Sequence, residues 1–104
     1  KDINEDLVYQ IVSVAQPREI HEVLKLALKD FIKARDKLFD VMLKHWLSGT
    51  DVIKAIQKEI WNLPIKDEDK IKLIDKCGDI EFRMVEGSDE FIQLECLLAN
   101  FNLK

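Results

Sequence analysis

The chain has 104 residues, 47% hydrophobic and 35% charged, with a net charge of −4. That is one small domain's worth of material; it excludes a large multidomain enzyme within this chain, and also a disordered tail, because so much apolar surface offsets the entropy of ordering a core. Three glycines and two prolines are too few for a β-protein with many tight turns, and an acidic balance makes a poor non-specific nucleic-acid binder, since phosphate contacts need surplus Lys and Arg.

In residues 1–16, Asp2 and Asn4 are possible caps before Ile3, Leu7, Val8, Ile11 and Val12, which predicts a short helix and then a linker over 14–16. Pro17 suits the first position of a helix whose Ile20, Val23, Leu24, Ala27 and Leu28 share one face. Asp30 is a cap for the next helix, so a break falls at 29–30. The break divides Lys25 and Lys29 from Lys33 and Lys37, which would otherwise make one basic stripe. Over 31–46, Phe31, Ala34, Leu38, Val41 and Met42 form an apolar face. Ile32, Phe39, Leu43 and Trp46 widen it to an arc of about 200°, more than one contact surface needs. Arg35 lies inside that arc, where an arginine either snorkels or pairs with a carboxylate.

Residues 47–50 read as a turn with Ser48 or Thr50 as cap, and Val52, Ile53, Ile56 and Ile60 drive a helix to about 62, stopped by Pro64. Asp67, Glu68 and Asp69 open a long helix running to about 86, lined by Ile71, Ile74, Cys77, Ile80 and Met84. Gly78 inside it suggests a close helix crossing. Gly87 ends this helix and Ser88 is the expected cap of the last one, 89–102. That last helix is apolar nearly all round, with Phe91, Leu94, Leu97, Leu98 and Phe101 on one side and Ile92, Cys96, Ala99 and Leu103 on another. Such a helix is central in a bundle or covered by another molecule. Glu95, between the two sides, is expected to pair with Arg83 or Arg35.

Signals of chemistry are absent. No Gly-rich phosphate loop, HExxH or paired zinc-ligand spacing occurs, and Cys77 and Cys96 read as buried reduced thiols. His21 reads as a helix-surface residue and His45 as a cation at a helix C-terminus. The turn at 47–51 resembles a helix-turn-helix, but the following helix sets Asp51 and Glu59 beside Lys54 and Lys58, a weak recognition surface. No apolar run nears the roughly 20 residues of a membrane span, and no signal peptide is evident, so a cytoplasmic chain is expected. The first residue is Lys, as in a fragment of a longer protein. Most of the apolar arc suits a core; a remainder of large aromatics, Trp46, Trp61, Phe82 and Phe101, suits a subunit interface.

Several stretches resemble the C-terminal part of replication factor C small subunits, with the archaeal ones as the best fit. They are Ala15-Gln16-Pro17-Arg18-Glu19, Phe31-Ile32-Lys33-Ala34-Arg35-Asp36-Lys37-Leu38 and Leu47-Ser48-Gly49-Thr50-Asp51-Val52. The likeness continues in Glu59-Ile60-Trp61-Asn62-Leu63-Pro64-Ile65 and is most specific in Asp79-Ile80-Glu81-Phe82-Arg83-Met84-Val85-Glu86-Gly87 and Ile92-Gln93-Leu94-Glu95-Cys96-Leu97-Leu98-Ala99. Asp30, where a glycine-containing turn is usual, and Cys96, where a small residue is, depart from the pattern.

The resemblance implies an all-α fold: a five-helix bundle, the collar domain of a clamp loader, over 17–104, preceded over 1–16 by the end of a helical lid and a linker. It implies a non-enzymatic oligomerisation domain with no cofactor of its own. ATP and Mg belong to an AAA+ module elsewhere, whose ATP-binding and arginine-finger motifs have no matching positions here. The implied partners are other replication factor C subunits, small and large, with the sliding clamp and primed DNA engaged only through the whole complex. The last two helices are the expected interface, with Arg83, Glu86, Gln93 and Glu95 in polar roles; Arg83 with Glu95 is either an intersubunit contact or an intramolecular brace. The alternatives are a helical adaptor that docks a partner peptide in a groove, and a helical DNA-binding domain.

Overall fold

The computed structural model describes residues 16–102, which form five helices: α1 (Pro17–Ala27), α2 (Phe31–His45), α3 (Gly49–Ile60), α4 (Asp67–Val85) and α5 (Glu90–Ala99). There is no strand among the described residues, and of the expected lid remnant and linker over 1–16 all but residue 16, caps included, lies outside them, as does Leu103.

Local chemistry sets the boundaries. The Asp30 side chain accepts a hydrogen bond from the Lys33 N–H at 3.1 Å and starts α2 where expected. Ser48, rather than Thr50, caps α3: it accepts from the Asp51 N–H at 3.2 Å, and the Asp51 carboxylate accepts in turn from the Ser48 N–H. The cap of α5 is Asp89 and not Ser88, with the Ile92 N–H donating to its carboxylate at 3.0 Å. Ser88 is used up in closing α4, its N–H bonding the Arg83 carbonyl across Gly87, whose φ of +107° suits glycine. Trp46 ends α2 in the left-handed region at φ +55°. That conformation costs a non-glycine residue roughly 1 kcal/mol. It lets the Leu47 N–H reach the Met42 carbonyl and turn Leu47 into the core.

α5 packs against all four other helices, α1 also packs on α2 and α3, and α3 on α4. Ile20, Val23 and Leu24 of α1, Leu38 of α2, Val52, Ile56 and Ile60 of α3, Leu73 and Ile80 of α4 and Leu94, Leu97 and Leu98 of α5 meet in one core. Of the two readings of the last helix, central in the bundle or covered by another molecule, the central one holds for one side: Phe91, Ile92 and Cys96 face outward. Cys77 is buried as expected, whereas Cys96 is exposed. On α4, Leu73 is the core residue and Ile71 is exposed, because α4 turns to α3 and α5 the face that carries Leu73, Cys77, Ile80 and Met84.

Gly78 is not at a helix crossing: a Cβ there would meet no atom within 4 Å. Its backbone is helical and its side-chain space is open, so Gly78→Ala is expected to stabilise the domain by about 0.8–1 kcal/mol through helix propensity. A higher urea midpoint at unchanged slope is the expected readout.

Two carboxylate–histidine contacts tie α1 to its neighbours. His21 Nδ1 lies 2.8 Å from Glu59 Oε2 of α3, so His21 is half-buried rather than a bare surface residue. Glu19 receives His45 Nε2 at 2.7 Å and Lys44 Nζ at 3.2 Å from the last turn of α2. Burial pushes the Glu19 carboxyl up, but the hydrogen bonds and charges of Lys44 and His45 outweigh it and hold it below its ordinary 4.5. The folded state thus binds this proton less readily than the unfolded one. The contribution is complete above about pH 4.5 and is lost as pH falls through the lower folded value. Denaturant titrations from about pH 6 to about pH 3 should find the acid-side loss of stability shallower in Glu19→Gln than in the parent.

Candidate subunit interface

The outer face of α4 is built by its inner one. With Leu73, Cys77, Ile80 and Met84 turned inward, Ile71, Asp75, Gly78, Phe82 and Val85 fall into a row on the far side, alternately four and three residues apart. Ile71, Phe82 and Val85 are 60–63% exposed. Single exposed apolar residues are ordinary, but three on one outer arc, Ile71 apart from Phe82 and Val85 across Asp75 and Gly78, mark a surface fit for a partner. Arg83 and Glu86 stand exposed beside it at the C-terminal end of α4.

α2 carries Ile32, Asp36, Phe39 and Leu43 at the same spacing, and Trp46 follows just past its last turn. Ile32 is 62%, Leu43 76% and Trp46 86% exposed. Phe39, at its centre, is half-buried and meets Phe91 of α5 edge-to-face, with ring centroids 5.1 Å apart. Beside it, Arg35 Nε donates to Glu95 Oε2, Nη1 donates to Asp36 at 3.1 Å, and the guanidinium sits 4.9 Å from the Phe39 ring centre. The hydrogen bond to Glu95 is the main reason the guanidinium holds its proton more firmly than usual.

Of the two partners open to Glu95, the structure selects Arg35; the pair braces α2 against α5 within one chain. Gln93 is half-buried, and its Oε1 is a buried acceptor to which nothing among the described residues donates. Trp61 is exposed just past α3, and its carbonyl accepts from Lys70 Nζ at 3.0 Å. Phe101 is no interface residue: α5 ends at Ala99, the Phe101 N–H bonds the Leu98 carbonyl, and the turn drives the ring fully into the core. Phe82, Arg83 and Glu86 are thus gathered on α4, Trp46 lies just past α2, and Trp61 stands apart.

Two features escaped the sequence. One is the place of Ile71 in the outer row, which its spacing to Phe82 and Val85 signals once Leu73 is assigned to the core. The other is Glu90, whose Oε1 accepts from the Gly49 N–H at 2.8 Å; no local pattern links residues 41 apart. A shallow cleft of about 330 Å³ between α3 and α4 is lined by Ile53, Gln57, Ile74, Cys77 and Glu81. Burial pushes the Cys77 thiol up to about 12, so it is a poor nucleophile at neutral pH. Among the described residues no cluster of His, Cys, Asp and Glu is arranged to hold a metal, and no helix is long and apolar enough to cross a membrane.

Fold and surface together define an all-helical domain with a packed core and apolar rows on two outer helices. The family described as Replication factor C C-terminal domain matches residues 15–100. The chain belongs to that family, as the C-terminal domain of a replication factor C small subunit. It is 49% identical over 104 residues to the replication factor C small subunit of Pyrococcus furiosus, 43% over 104 to that of Sulfolobus acidocaldarius and 41% over 105 to that of Methanocella arvoryzae. These alignments take in 97–100% of this chain but only 12%, 32% and 33% of the respective relatives.

Proposed function

We propose that this domain is the collar piece that joins neighbouring subunits of a clamp loader, so that ATP-driven changes elsewhere in the assembly act in concert. The observation that carries this reading is the α4 row, Ile71, Phe82 and Val85, exposed together with Arg83 and Glu86 at its end. A helix that seals its own core with one face and leaves large apolar side chains in register on the other is suited to bury them against a second chain. ATP binding and hydrolysis, and contact with the sliding clamp and primed DNA, belong in this reading to the parts of the subunit outside this chain. Light scattering across a concentration series tests it: mass rising with concentration is expected. A strict monomer at the highest concentrations reached would remove self-association as the role of this surface.

A further inference from the structure

We propose that Glu19 is a positioning residue: it ties the start of α1 to the end of α2 and so holds Trp46 in the backbone conformation that presents its indole outward. The inference concerns the shape of one chain and stands whether or not copies associate.

The backbone at Trp46 is the reason something must hold it. A φ of +55° and ψ of +44° place it in the left-handed region, where a side chain crowds the following carbonyl and glycine alone sits without cost. Among the described residues it is the one non-glycine with positive φ. It is also 86% exposed, more than any other large apolar side chain among them. Burial of the indole therefore does not offset the cost. Residues strained in this way persist where their surroundings over-determine them, and they gather at functional sites.

Holds lie on both sides of the turn. After it, Leu47 is buried with its N–H on the Met42 carbonyl at 3.0 Å, and Glu90 of α5 accepts from the Gly49 N–H at 2.8 Å. Before it, the last two residues of α2, Lys44 and His45, both bond the Glu19 carboxylate, whose side chain is only 15% exposed. The same stretch of α1 is tied twice more, His21 to Glu59 of α3 and Glu22 to Lys37 of α2 at 3.4 Å. Contacts at three of four successive residues make the first turns of α1 and the ends of α2 and α3 one body. A displacement at the start of α1 thus reaches the turn at Trp46 through Glu19. In the assembly reading above, this is a route by which changes in the part of the subunit preceding α1 reach an exposed aromatic without passing through the core.

Time-resolved fluorescence anisotropy of the 104-residue chain tests the hold. Trp61→Phe at an exposed site leaves Trp46 as the sole indole. In that background the Trp46 indole should turn mainly with the whole domain, and Glu19→Gln should about double the amplitude of its nanosecond motion. Far-UV circular dichroism should stay unchanged, so that the motion is read in folded chains. Glu59→Gln, which removes the other carboxylate holding a histidine, is the control and should leave the Trp46 decay as it was. Trp46→Gly should raise the urea midpoint, because glycine takes up the left-handed turn freely. A Trp46 decay unchanged by Glu19→Gln overturns the proposal. So does a decay altered equally by Glu59→Gln, which would make the motion a general loosening of α1, and so does a Trp46→Gly midpoint below the parent's, which would mean that the turn needs no holding.

Discussion

A Phe101→Ala chain is expected to lose about 3–5 kcal/mol of stability. Phe101 is wholly buried and lies just beyond α5, the helix in contact with all the others. Removing its ring opens a cavity that fixed helices on several sides cannot collapse to fill. Domains of this size are stable by roughly 5–15 kcal/mol in all, so the variant would stand near its unfolding threshold at room temperature. Urea denaturation followed by circular dichroism checks the value. Phe82→Ala is the control: the same residue type, 63% exposed on α4, should change stability by no more than about 0.5 kcal/mol. The pair thus separates the two phenylalanines that composition alone put together as interface candidates, one as core and one as surface.

That separation shows where sequence stops being informative. Helix positions were legible because caps and breaks are local: Asp30, Ser48, Pro64 and the acidic start of α4 each act on residues within a turn or two. Which arc of a wide apolar helix faces inward was less legible, because that depends on which partners lie on either side. α2 and α5 each carry more apolar residues than one contact can bury, and periodicity ranks no portion of the arc above another. Leu73 and Ile71 illustrate it on α4: two positions apart and equally apolar, they are sent to opposite faces by the positions of α3 and α5. Glu95 had two arginines within plausible reach in sequence, and only the packing of α5 on α2 brings Arg35 to it. The candidate surface was therefore half legible: Phe82, Arg83 and Glu86 are exposed, as an interface reading of α4 requires, while Phe101 and the Glu95 contact turn out to hold the single chain together.

Gly49→Ala is expected to destabilise the domain by about 1–3 kcal/mol, the reverse of what the same change does at Gly78. Both glycines are helical, and at a solvent-open site alanine is the better helix former. At Gly49, however, an added Cβ would lie 2.8 Å from the Cβ of Glu90 and 2.9 Å from its Cγ and Cδ. The first of these atoms is fixed to the α5 backbone, so the clash is relieved only by shifting the start of α5 away from the start of α3. Such a shift lengthens the 2.8 Å hydrogen bond from the Gly49 N–H to Glu90 Oε1, which satisfies one of the free donors in the first turn of α3 and sets a carboxylate at the positive end of its dipole. The close approach and the hydrogen bond are one arrangement, so Gly49→Ala and Glu90→Gly should be strongly non-additive. Once Glu90 has lost its side chain, the alanine has room, and the double variant should cost less than the two single changes together, with a coupling in the range of about 0.5–3 kcal/mol. Urea midpoints for the four chains of this cycle provide the measurement. Additive costs, or a Gly49→Ala chain as stable as Gly78→Ala, would mean that α5 does not sit on the first turn of α3 as closely as the geometry has it.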